Sequence, residues 1–164
     1  MRIYLTLLLI IVTTVVSGQE SSTYKNEGFE VSYSKDWLLD TSGQMNSKFI
    51  LFSKPEPNDK FQENVNLIVQ DLSGKGFTME SYVKLSKKQI ETMVPEGEIL
   101  VSKNMNSYHM AIWKGRIGAN LLKFKQYYFL KNEKVYVLTF TALPDTYDRF
   151  IETGNKILDS FKLK

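Results

Sequence analysis

Cysteine is missing from the chain altogether. That absence removes disulfides, thiolate metal ligands, cysteine nucleophiles and the acylated thiol of a bacterial lipoprotein, so the protein must fold on its core alone. Histidine is nearly missing too, with His109 the sole example. A zinc site draws on three or four nitrogen, sulfur or carboxylate ligands, and one His without Cys does not suggest one, so neither metal nor cofactor is expected. No Asn-X-Ser/Thr acceptor occurs, which suits bacterial export at least as well as a eukaryotic secretory route. An excess of one charge is lacking as well. The 21 basic and 18 acidic residues leave a net charge of +3, too little to argue for nucleic acid as a partner. Catalytic signatures are equally scarce: no Gly-X-Ser-X-Gly elbow presents a serine, and Gly74-Lys75-Gly76 lacks the first glycine and the hydroxyl of a phosphate-binding loop.

What is present begins with a leader. Arg2 supplies a positive charge, Ile3 to Val16 carries none, and Val16-Ser17-Gly18 offers small side chains before a cut. Residues 1–18 therefore read as a secretory signal cleaved near Gly18/Gln19, giving a secreted or periplasmic protein. A membrane-spanning helix needs roughly 20 apolar residues, more than this run supplies, and an uncleaved anchor is the lesser alternative. Residues 19–26 are polar and read as a short tether. Residues 27–164 read as a single domain of a size that buries an adequate core.

Within that domain the periodicity predicts strands, a helix, more strands and a final helix. Gly28 to Tyr33 alternates apolar with polar side chains, Phe49 to Phe52 is a second strand, and Val65 to Val69 a third, expected to be central and buried on both faces. Thr78 is a good N-cap for a helix reaching Val94, with Met79, Tyr82, Val83, Ile90 and Met93 on its buried face. Glu98–Lys103, Tyr108–Ile117, Leu121–Leu130 and Val135–Ala142 then form antiparallel strands. In the last strand Tyr136, Leu138, Phe140 and Ala142 share one face, and Pro144 ends it. Asp145 is expected to cap the closing helix, paired with Asp148. Tyr147, Phe150, Ile151, Gly154, Leu158 and Phe161 form its apolar stripe, with Gly154 allowing close approach to the sheet. Helices separated by hairpins imply an α+β domain.

Gly28-Phe29-Glu30-Val31-Ser32-Tyr33 followed by Trp37, Glu63 to Val69, and Tyr136 to Ala142 with Tyr147 and Ile157-Leu158-Asp159-Ser160-Phe161-Lys162 together resemble the PsbP-like superfamily. That group includes the extrinsic PsbP protein of photosystem II, a yeast Ran-binding import factor and many exported bacterial proteins. The resemblance covers residues 24–163. It implies an α/β/α sandwich, with a central antiparallel β-sheet flanked by helices, and a binding or accessory role with no shared catalytic residues.

Three sets of residues invite a chemical role. His109 with a neighbouring Ser or Thr could form a nucleophile and base, but the surrounding Tyr108, Met110, Ile112 and Trp113 make a packed or edge histidine the preferred reading. Glu56, Asp59 and Glu63 lie close in a proline-containing loop and read as solvated carboxylates, without a calcium-loop pattern. From Lys103 to Lys134 there are seven basic residues and one acidic. Alternation puts Lys114 with Arg116, and Lys123 with Lys125, on common faces of one hairpin, a candidate surface for a protein partner, an envelope component or an anionic surface. Sheet-edge protection is the plainer role for those charges. The expected function is thus an exported, non-enzymatic accessory domain, monomeric, binding an envelope or extracellular macromolecule. A carrier of a small apolar ligand between sheet and helix is the alternative, and a hydrolase stands third.

Overall fold

The computed structural model describes residues 20–57 and 61–164. The expected signal and its cleavage point fall outside the described residues, as does Asp59. Along the chain come β1 (Ser21–Lys25), β2 (Phe29–Ser34), β3 (Trp37–Asp40), β4 (Ser47–Ser53), β5 (Asn64–Asp71), α1 (Met79–Met93), β6 (Glu98–Asn104), β7 (His109–Ile117), β8 (Asn120–Lys131), β9 (Lys134–Ala142), α2 (Pro144–Ser160) and β10 (Lys162–Leu163). All pairings are antiparallel. They form a seven-stranded sheet ordered β3-β4-β5-β9-β8-β7-β6 and a three-stranded sheet ordered β1-β2-β10. The α+β sandwich expected from the sequence is the observed architecture, with α1 on one face of the large sheet and α2 on the other. The small sheet is an addition that the sequence reading did not contain.

Residues 21–25 are a strand, where a tether was expected. Tyr24 and Ser22 turn inward, and the Tyr24 ring packs edge-on against Phe29 and Phe49, each at 5.9 Å. A ring so held gives a short polar segment the apolar contact it needs to be ordered. At the other end of the chain β10 pairs with β2, so both ends of the described chain close the same sheet.

β9 is the strand buried on both faces, a role the sequence reading gave to β5. In β5 only Val65 and Leu67 are fully enclosed, whereas Asn66 and Ile68 point to the opposite, partly open face. The amide of Asn66 interrupts the apolar run, so burial follows one side of the pleat.

α1 starts as its sequence predicts. The Thr78 hydroxyl accepts from the Ser81 amide and the Ser81 hydroxyl accepts from the Thr78 amide, a reciprocal capping box. Tyr82, Val83 and Ile90 are buried, but Met93, expected on the same face, is 74% exposed. α2 begins differently from expectation. Neither Asp145 nor Asp148 caps it: Leu143 occupies the N-cap without a side-chain bond and Pro144 opens the first turn, where a missing amide hydrogen costs nothing.

The main core lies between the large sheet and the layer made by α2 with the small sheet. Phe29, Val31, Phe49, Leu67, Phe140 and Leu158 are among its members. Gly154 sits where a Cβ would come 2.8 Å from the Phe140 ring, so the helix rests directly on that ring. Two smaller clusters lie under α1, one around Tyr82, Tyr128 and Val137, the other around Ile90, Trp113 and Phe124.

Candidate functional site

α1 covers β6, β7 and β8, whereas α2 reaches β9 and β5 from the other side. On the α1 side Tyr82 and Val83 also pack against Val135 and Val137 of β9, and beyond them a groove of about 450 Å³ runs between the flank of α1 and the faces of β8, β9 and β5. Register builds its floor. Gln126 of β8 stands opposite Thr139 of β9, which stands opposite Asn66 of β5, so amide, hydroxyl and amide form one row across three strands.

Bonds along the row fix its orientation. The Trp113 indole N–H donates to Gln126 Oε1 at 2.8 Å, the Tyr128 hydroxyl donates to the same oxygen at 2.5 Å, and Gln126 Nε2 donates to Thr139 Oγ1 at 3.1 Å. Tyr128 also meets Ser86 of α1 at 3.2 Å, and the Tyr82 hydroxyl donates to Gln70 Oε1 at 3.0 Å. Burial pushes the Tyr82 hydroxyl up to about 12, with Tyr128 adding to it, so Tyr82 is a neutral donor at physiological pH. Asn66 Oδ1, though buried, has no partner among the described residues.

The four basic hairpin residues, Lys114, Arg116, Lys123 and Lys125, share one face. Lys114 lies directly opposite Lys123, and each of the others is two residues along its strand. This is the α2 side, away from the groove. All four are engaged. Lys114 pairs with Glu98 at 2.7 Å, Arg116 with Glu96 at 2.7 Å, and Lys125 donates to Asn155 of α2 at 2.7 Å. Burial lowers the Lys125 pKa, against the opposing pull of Asp159. Lys123 lies over the Tyr147 ring, 3.9 Å from its centre.

His109 is 5% exposed and held at both ring nitrogens. Nδ1 lies 2.6 Å from Asn104 Oδ1, which can only accept, so Nδ1 carries the hydrogen and the neutral ring's Nε2 accepts from Ser102 at 2.9 Å. Desolvation, with Lys87 of α1 adding to it, lowers its pKa. The order Ser–His–Asn is that of a nucleophilic relay, yet every contact is equally that of a buried imidazole satisfied by two polar neighbours on the sheet edge. The carboxylate loop needs one correction. Glu63 was read as solvated and is fully buried, accepting from Ser53 and Thr146, so it ties the loop to the first turn of α2. Glu56 is exposed and pairs with Arg149 at 2.9 Å. Among the described residues no group of three or more metal-ligating side chains occurs, and no helix is long and apolar enough to cross a membrane.

The groove was not singled out by sequence. Its signal is nevertheless there: Asn66, Gln126, Thr139 and Thr141 are polar residues at sheet positions that point toward a helix.

No family model matches the chain, and no curated protein sequence does. Solved structures do. Cyanobacterial PsbP from Synechocystis superposes with a TM-score of 0.63 at 13% identity, covering 94% of this chain and 99% of its own. The fold is PsbP-like. LpqN, involved in cell envelope biogenesis of Mycobacterium tuberculosis, matches with a TM-score of 0.60 at 13% identity over 88% of this chain and 91% of its own. PA94 of Pseudomonas aeruginosa, a protein of unknown function, matches with a TM-score of 0.61 at 11% identity over 85% and 94%. At such identities the likeness concerns the PsbP-like fold itself and carries no residue roles across.

Proposed function

We propose that the chain is an exported, non-enzymatic binding domain of PsbP-like fold, and that its ligand occupies the groove between α1 and the seven-stranded sheet. The observation that carries this reading is the row Gln126, Thr139 and Asn66, three polar side chains on central strands where a helix-covered sheet would ordinarily be apolar. Export is supported by the leader read from residues 1–18, and an envelope setting by the likeness to LpqN. The alternative of a carrier with its ligand between sheet and helix uses the same groove, whose lining mixes Ile68, Ile90, Met93 and Val94 with the polar row. Native mass spectrometry of protein recovered from its own envelope fraction tests the reading. A bound small molecule, lost when Thr139 is replaced by Phe in a folded variant, is the expected result; retention by that variant would move the ligand elsewhere.

A macromolecular partner on the basic hairpin is the second reading, favoured by Lys114, Arg116, Lys123 and Lys125 sharing one face. Reversing Lys123 and Lys125 to Glu in a folded protein should abolish capture of an envelope protein or binding to anionic vesicles at low salt. Unchanged capture and vesicle binding would leave the hairpin a protected sheet edge.

A further inference from the structure

Among the described residues the groove is lined without a single charged side chain, in a chain of which 24% of residues are charged. From this we infer that it is a saccharide site: a subsite for a neutral, polyhydroxylated ligand read by the Gln126–Thr139–Asn66 row. The inference rests on the groove reading above and specifies what the groove takes.

Three other ligand classes fail on chemistry. A charged ligand would meet nothing of opposite sign among the described lining residues, and its desolvation would go uncompensated there. An acyl chain would find apolar wall in Ile68, Ile90, Met93 and Val94, but it would also cover Gln126 and Gln89 without replacing their hydrogen bonds to water. A flat aromatic ligand needs an open ring face, but Trp113 is stacked on Phe124 with 3.9 Å between ring centres and 17° between planes, and only 7% of it is exposed.

A sugar matches what remains. Each hydroxyl both donates and accepts, as do a side-chain amide and a threonine hydroxyl, so a ring of hydroxyls can pair with an amide–hydroxyl–amide row in either sense. Thr139 accepts from Gln126 and keeps its own proton to give, and Asn66 stands next to it in the row. The C–H face of a sugar is apolar, and the exposed Met93 at the mouth of the groove offers it a flexible thioether. A volume of about 450 Å³ lies within the usual range for small-molecule sites, roughly 300–1,000 Å³. A hollow of about 660 Å³ beside Gly28 is rimmed instead by the charged Glu27, Lys48, Asp71 and Lys134.

Nitrogen-15 NMR reads the site directly, through the side-chain amides of Asn66 and Gln126 and the indole of Trp113. The protein is titrated with neutral disaccharides (maltose, cellobiose, di-N-acetylchitobiose), a hexuronate disaccharide and a lysophospholipid, and then with neutral-glycan, anionic and lipid fractions of its own envelope. Saturable shifts of these three side chains with a neutral disaccharide or the neutral-glycan fraction, about tenfold weaker in Thr139→Val and in Asn66→Asp, are expected. Shifts with the anionic or lipid probes alone overturn the saccharide class and leave the groove reading standing. No shift with any probe or fraction overturns both. The wild-type titration decides between these outcomes even if a variant fails to fold.

Discussion

Gly154 shows how one missing methyl group positions a helix. A Cβ there would meet three atoms of the Phe140 ring at 2.8–3.0 Å. In an exposed helix Gly→Ala gains about 1 kcal/mol of propensity, but overpacking a fixed core ring costs about 1–3 kcal/mol. Gly154→Ala should therefore lower stability in urea denaturation, and a more stable variant would mean that Phe140 gives way freely. His109 makes a second prediction, in pH. Its folded pKa is lowered by burial and by Lys87, while Tyr128 of β8 stacks on the ring and Asn104 and Ser102 of β6 hold its nitrogens. The unfolded chain then binds the proton more readily, so this contribution to stability is complete above pH 6.5 and is lost as pH falls from there through the folded pKa. His109→Gln should flatten the stability profile just below pH 6.5, ahead of the acid loss from Asp40 and Asp71, whose carboxyls their hydrogen bonds to Ser42 and Ser73 hold low. An identical slope in the variant would assign that pH dependence to other groups.

Elements were legible in the sequence where periodicity and caps agreed. Thr78 caps as read, Leu138, Phe140 and Ala142 share the expected face of β9, and Tyr147, Gly154 and Leu158 of the α2 stripe are buried, whereas Val135, Val137 and Ile157 are buried as well. What escaped is held by partners remote in sequence. β10 is two residues resting on β2, and Glu63 is buried because Thr146, 83 residues away, supplies a donor. Of the groove, the residues were visible and their convergence was not, because a row across β8, β9 and β5 depends on register. The basic hairpin was foreseen as a local pair of faces, but its partners Glu96, Glu98 and Asn155 are set by the fold. β1 provides the test at this scale. Beginning the chain at Gly28 removes the Tyr24 ring from Phe29 and Phe49 and the pairing of β1 with β2. Against a chain beginning at Gln19, its thermal midpoint should fall by several degrees, as a loss of about 1–2 kcal/mol implies for a domain of this size. Equal midpoints would make the segment the tether its composition suggests.

For the molecule as a whole, the two faces of the large sheet are unequal, and the inequality connects fold to function. The α2 side joins helix, small sheet and Phe161 into one continuous core, whereas the α1 side holds two separate clusters with the polar groove beside them. α1 buries Tyr82, Val83 and Ile90 and leaves Leu85 and Met93 exposed, so less apolar area holds it to the sheet than holds α2. Local opening free energies follow such differences, and the elements that move to admit ligands come from the weaker end. Native-state hydrogen exchange in low denaturant should therefore find α1 opening as a subunit before global unfolding, with α2, β9 and β5 exchanging only through the global event. A ligand bridging the sheet row and Ser86 or Gln89 of α1 would slow exchange in α1 and leave the α2 face unchanged. If α1 and α2 open together at the global free energy, the groove wall is as rigid as the core, and entry must occur through the static mouth beside Met93.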